Sequence, residues 1–108
     1  MEDINEDIKN LRIRLDESSR YLRIPELLTR REQLEEEMAD PDLWDDQNRG
    51  REVQKNLSEA AEDIDLHKTL EREVEDLETL FELATEEDDQ SLDEEIRIGL
   101  QKIQTKFD

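Results

Sequence analysis

The sequence is poor in the residues that shape small, loop-rich or cross-linked domains. It has no cysteine, two glycines, two prolines and one histidine among 108 residues, and only 4% of its residues are aromatic. The absence of cysteine excludes disulfides and thiolate metal sites, and is compatible with a reducing cytoplasm. No apolar run approaches the roughly 18 residues of a membrane span. Few glycines and prolines predict few turns and long elements.

What the sequence has in excess is negative charge. There are 34 acidic against 15 basic residues, for a formal charge of −19. Residues 1–31 are balanced, with seven acids and seven bases, so residues 32–108 carry the whole excess. A phosphate backbone would be repelled by that second part. We therefore expect a basic protein surface as partner rather than nucleic acid, for which only the N-terminal third is suited. Without an apolar span, we expect no membrane partner.

The apolar residues of the first third predict two helices. One stripe has the 4-3-4-3-4 spacing of a helix face and consists of Ile4, Ile8, Leu11, Leu15, Ser18 and Leu22. Asp3 and Glu6 resemble a capping box at its start. Pro25 predicts that this helix ends near Arg23, since the residue before a proline avoids the α conformation. A second helix should run from Pro25 to Ala39 or Asp40.

Two further helices follow, the first of them long. It should span about Asn48 to Thr85, with a 3-3 spacing around His67 that predicts overwinding or a change of packing partner. Ser91 and Glu94 resemble a second capping box, which opens a fourth helix. The stripe of the fourth helix consists of Leu92, Ile96, Leu100, Ile103 and Phe107.

These patterns predict an all-α fold and one domain over residues 1–108. We expect an elongated antiparallel helical bundle, or coiled-coil hairpin, of three to four helices with one long central helix. Helices one and two should lie against the N-terminal half of the long helix, and helix four against its C-terminal half. Ile103 and Phe107 would then have little cover, so a homodimer that buries them remains open.

No catalytic constellation is present in the sequence. His67 stands alone, and its expected role is structural, in a helix seam and paired with a neighbouring carboxylate. The acidic runs are typical of solvated faces. We expect six arginines of the first two helices to pair with acids rather than form a binding patch: Arg12, Arg14, Arg20, Arg23, Arg30 and Arg31. The sequence thus predicts no enzyme, no metal and no cofactor.

The segment around the only tryptophan is expected to be structural as well. Pro41 should stop the second helix, and one of Asp42, Asp45 or Asp46 should cap the third. Leu43 and Trp44 are then expected to fold inward and plug the end of the bundle. On that interpretation, replacing Trp44 by alanine costs about 3–5 kcal/mol.

Three stretches carry a resemblance to a known family. They are YLRIPELLTRREQLEEEMADPDLWDD, VQKNLSEAAEDID and LFELATEEDDQSLDEEI. In this order they resemble the N-terminal domain of the bacterial peptide chain release factor 2 family. The resemblance implies a cytoplasmic ribosome-binding domain of a factor that terminates translation at UAA or UGA. It also implies docking near the large-subunit stalk base, alongside the remaining domains of the factor.

The family's functional motifs are missing here. Its codon-reading Ser-Pro-Phe and its hydrolytic Gly-Gly-Gln do not occur in these residues, so no catalytic residue can be assigned, and no docking face is singled out. Two alternatives stay open: a cytoplasmic coiled-coil adaptor or oligomerisation module, and a catalytic helical bundle. An adaptor gives no reason for a tryptophan that follows a proline between two helices. A catalytic bundle would need histidines that the sequence lacks.

Overall fold

The computed structural model describes residues 2–107, which form four α-helices and no strand. The helices are α1, Glu2–Tyr21; α2, Ile24–Ala39; α3, Gln47–Glu86; and α4, Asp93–Phe107. Short 3₁₀ turns at Leu43–Asp45 and Gln90–Leu92 precede α3 and α4. The 40 residues of α3 correspond to a rod about 60 Å long. The all-α class and the single long helix are confirmed. Within residues 2–107, no helix combines the length and apolar character needed to cross a membrane.

The described residues divide into two compact units. The first lies within the ranges 1–18 and 68–108 and contains most of α1, the C-terminal half of α3, and α4. Each of these three helices contributes its apolar stripe to one core. Its buried residues are Ile4, Ile8, Leu11, Leu15, Leu70, Val74, Leu77, Ala84, Ile96, Leu100 and Ile103. This unit is therefore a three-helix bundle.

The packing of α1 corrects an expectation. We expected α1 against the N-terminal half of α3, but Ile4, Ile8, Leu11 and Leu15 share a core with the C-terminal half. An ion pair joins the same two helices, with the Arg12 guanidinium donating to both carboxylate oxygens of Glu78. The 3-4 stripe of α1 fits either half of α3, so its spacing alone did not specify the partner.

The second unit spans Ser19–His67 and is built on a hairpin of α2 and the N-terminal half of α3. Its core is small, with Leu34, Leu43 and Val53 buried and Met38 and Leu57 packed against them. The division between the units falls after His67, inside an uninterrupted α3. The predicted change of packing partner at the 3-3 spacing is therefore observed.

The first turn between helices is tighter than the sequence suggested. Helix α1 ends at Tyr21, two residues early, because Arg23 adopts the left-handed conformation with φ 54°. Such a conformation is unusual for a residue with a Cβ atom. Pro25 then lies in the first turn of α2, as predicted. At the other end of α1, Asp3 lies inside the helix, which already begins at Glu2, so Asp3 is not its cap.

The entry to α4 also differs from the capping box that we expected. Asp89, rather than Ser91, supplies the accepting group: its Oδ1 accepts from the backbone N–H of Ser91, at 2.9 Å, and from the Ser91 hydroxyl. These bonds lower the pKa of the Asp89 carboxyl below its ordinary value, the hydroxyl bond contributing most. Helix α4 itself begins at Asp93. The turn is thus closed by an acid two residues before the predicted cap.

The end of α4 has more cover than the sequence suggested. Ile103 is buried in the three-helix core, and Phe107 packs against that core. The Arg14 guanidinium lies 5.1 Å from the centre of the Phe107 ring, a cation–π distance. Residues expected to lack cover are thus covered within one chain, which removes the reason given above for a dimer.

Candidate docking surface at the α2–α3 turn

The turn between α2 and α3 is held by one apolar anchor and one cap. Leu43, in the 3₁₀ turn, is buried with Leu34 and Val53. Asp46 caps α3, because its Oδ1 accepts from the backbone N–H groups of Asn48, at 3.0 Å, and Arg49, at 3.3 Å. Of the three candidate caps, the structure thus selects Asp46. Pro41 lies exposed in the turn after α2 ends at Ala39.

Trp44 does not fold inward, contrary to our expectation. It is 46% exposed, while one face of its indole lies on the backbone of Gly50 in the first turn of α3. A Cβ atom added at Gly50 would lie 2.5 Å from Cε3 and 2.7 Å from Cδ2 of Trp44. Only a glycine leaves room for the ring there. Leu43 and Trp44 are neighbours in the 3₁₀ turn, and the Leu43 side chain lies in the small core while the Trp44 side chain lies partly on the surface.

Sequence reasoning missed the role of Gly50. The sequence predicted no role for this isolated glycine, which lies inside a helical segment. A glycine inside a helix lowers the helix stability by roughly 1 kcal/mol relative to alanine. Gly50 lies six positions after Trp44, the only tryptophan. Those two facts were the available signal that a bulky side chain approaches the backbone there.

Acidic side chains surround this turn. One hollow beside Leu43 is lined by Glu37, Asp40, Asp42, Asp45, Asp46 and Arg49. The arginine pairs with Glu37 at 3.0 Å, and Asp40 accepts from the backbone N–H of Asp42 at 2.9 Å. With Asp46 occupied as the cap, the carboxylates of Asp42 and Asp45 have no hydrogen-bond or ion-pair partner within residues 2–107. We call Trp44, Asp42 and Asp45 the apex.

His67 is only 8% exposed, as a seam residue should be. Its Nε2 atom, however, has no hydrogen-bond partner among the described residues, so this nitrogen does not make the expected pairing with a carboxylate. No group of three or more His, Asp or Glu side chains in the described part of the chain is placed to hold a metal ion.

Five of the six arginines for which we expected acidic partners fall into two groups, those with an ion pair and those without. Arg12 forms an ion pair with Glu78, and the hydrogen bond between their side chains raises the pKa of the Arg12 guanidinium. Arg31 lies 3.7 Å from Glu35. Arg20, Arg23 and Arg30 form no ion pair within residues 2–107. The expectation that all six pair with acids is therefore met only in part.

Together, the fold and this surface define a class: an acidic, all-helical domain with a partly exposed tryptophan that packs on a glycine at a turn. Comparison with known proteins goes further. The PCRF domain model matches residues 27–108, and the chain belongs to that family. The match includes the apex and Gly50, and it excludes α1.

The chain is also similar to individual peptide chain release factor 2 proteins. It is 40% identical over 84 residues to that of Mycobacterium sp. strain KMS, covering 78% of this chain and 23% of the relative. For Mycobacteroides abscessus the identity is 40% over 90 residues, covering 83% and 24%. For Mycobacterium leprae strain TN it is 43% over 81 residues, covering 75% and 22%. The chain thus matches less than a quarter of the length of these relatives.

Proposed function

We propose that the chain is a ribosome-docking domain of a class I release factor that terminates protein synthesis at UAA and UGA. The observation that carries this proposal is the PCRF match over residues 27–108, together with similarity to release factor 2 proteins. The domain acts in the cytoplasm and works with the other domains of such a factor.

The charge supports a protein contact. A net charge of −19 opposes close approach to rRNA phosphates, whereas it steers the domain toward lysines and arginines. The family resemblance implies a position near the large-subunit stalk base, and the charge favours a basic ribosomal protein as the contact there. Steering of this kind weakens as salt rises.

The domain itself is not the hydrolytic part of the factor. Neither Ser-Pro-Phe nor Gly-Gly-Gln occurs in the sequence, and peptidyl-tRNA hydrolysis would require those motifs elsewhere. Its proposed contribution is binding energy and orientation on the ribosome, which a helical domain can supply without a reaction centre.

A peptide-release assay tests the proposal. Ribosomes with peptidyl-tRNA and a UGA codon are mixed with a limiting amount of full-length release factor 2 and an excess of this chain. We expect the chain to slow release, because both molecules compete for one docking position, and the inhibition should weaken as salt increases. Unchanged release at low salt and high excess would contradict ribosome docking.

The alternative function, a cytoplasmic helical adaptor or oligomerisation module, makes a different prediction about the gene. A release factor requires the reading frame after Asp108 to encode Ser-Pro-Phe and Gly-Gly-Gln, whereas an adaptor does not. Sequencing the frame distinguishes the two functions without any binding assay.

A further inference from the structure

We infer that the apex is the surface by which this domain contacts its partner, and that the partner presents lysine or arginine side chains there. The inference rests on the proposed function and deepens it, by naming the contacting residues and the chemistry that recognises them. Trp44 supplies apolar contact area, and Asp42 and Asp45 supply charge.

The first argument is that Trp44 is held in place before it binds. Its ring lies so close to Gly50 that a Cβ atom would stand 2.8 Å or less from three ring atoms, and the neighbouring Leu43 is anchored in the core. An aromatic side chain fixed in this way loses little conformational freedom on binding. Tryptophan is also among the residues most enriched at the energetic centres of protein interfaces.

The second argument is charge complementarity. Asp42 and Asp45 carry carboxylates that no described residue satisfies, and the only arginine in the same hollow is paired with Glu37. A cation over the exposed face of the Trp44 indole gains cation–π attraction, and Asp42 and Asp45, which are close to Trp44 in sequence, can pair with other cations of the same basic surface. A polyphosphate backbone would meet repulsion at the same place. The favoured occupant is therefore a basic protein surface.

Other exposed apolar residues lack this combination. Tyr21 is 87% exposed, but it follows Arg20 and precedes Arg23 by two positions, so its surroundings are basic. Ile98 borders a groove whose charged residues have both signs, Glu73, Asp76, Lys102 and Lys106. Within residues 2–107, Trp44 is the exposed aromatic residue with acids on both sides in sequence.

Binding of labelled chain to large ribosomal subunits, followed by fluorescence anisotropy, tests the inference. We expect Trp44→Ala to weaken binding at least about tenfold, as for a residue at an interface centre. Gly50→Ala, which displaces the ring while keeping it, should also weaken binding severalfold. Circular dichroism of each variant shows whether the helices are retained. Wild-type affinity in a folded Trp44→Ala would overturn the inference while leaving ribosome docking intact.

A pair of charge-matched variants separates the apex from net charge. Asp42→Asn/Asp45→Asn and Glu86→Gln/Glu87→Gln each remove two charges, the second pair from the exposed last residue of α3 and the first residue of the turn after it. We expect at least fivefold weaker binding for the first variant and less than twofold for the second. Equal losses would mean that overall charge, not the apex, governs binding, and would overturn the inference.

Two further probes settle the class of partner and keep the two proposals distinguishable. Deca-arginine should change the emission of Trp44, the only tryptophan, and this change should be weaker in Asp42→Asn/Asp45→Asn than in Glu86→Gln/Glu87→Gln. If that holds but ribosomal subunits do not bind, the proposed function fails and the apex remains a basic-protein site. No change of emission with deca-arginine overturns the apex chemistry. Tighter binding to protein-free rRNA than to extracted large-subunit proteins overturns the protein partner.

Discussion

Replacing Trp44 by alanine tests how this side chain is packed. A tryptophan buries roughly 150–250 Å² when enclosed. Because Trp44 is 46% exposed, about half of that area is buried against Gly50 and its surroundings, and the alanine variant loses this buried area. Each buried Å² contributes about 25 cal/mol, somewhat less when the unfolded state is compact, so Trp44→Ala should lower the free energy of unfolding by about 2 kcal/mol. That is smaller than the cost expected for a fully inward ring.

Urea unfolding followed by far-ultraviolet circular dichroism measures this cost. The control is Leu66→Ala, since Leu66 is 59% exposed and should change the free energy of unfolding by less than about 0.5 kcal/mol. A loss above about 4 kcal/mol for Trp44→Ala would mean that the ring is enclosed. A loss as small as that of the control would mean that the ring does not pack on Gly50.

Three other predictions concern the supports of the fold. Asp46→Ala should lower the free energy of unfolding by about 1 kcal/mol, because α3 loses its cap; Asp42→Ala, measured in the same urea titration, should cost less. Ile96→Ala should cost about 2–5 kcal/mol, seen as a lower Tm in calorimetry, since Ile96 is fully buried in the three-helix core. Because its hydrogen bonds lower the pKa of Asp89, the carboxylate stabilises the turn above about pH 3.9, and this contribution is lost as the pH falls through the lower pKa of the folded state. NMR titration should show the Asp89 pKa rising toward its ordinary value in Ser91→Ala; an unchanged pKa would contradict these hydrogen bonds.

Helix number and extent followed from local rules. The apolar spacing, Pro25 and the scarcity of glycine predicted four helices, and the ends of α2 and α3 fall within about two residues of the expected positions. These features depend on neighbours in sequence, so periodicity and proline chemistry describe them well. The change of partner at His67 belongs to the same class, since an irregular stripe signals it locally.

The packing of α1 on one particular half of α3 did not follow from local rules. The stripe of α1 is complementary to either half of α3, and the Arg12–Glu78 pair that joins α1 to the C-terminal half uses one acid among 34. Likewise, the exposed position of Trp44 depends on Gly50, which lies close only once α3 has formed. Long-range pairing and backbone approach are properties of the folded chain, and one sequence does not specify them.

The most direct test of the central claim is cosedimentation of the chain with 70S ribosomes, with and without full-length release factor 2. Our account predicts that the chain pellets with ribosomes at low salt, that the full-length factor displaces it, and that Trp44→Ala pellets poorly. A wild-type chain that stays in the supernatant at low salt, or pellets equally in the presence of excess factor, would contradict docking at the release-factor site.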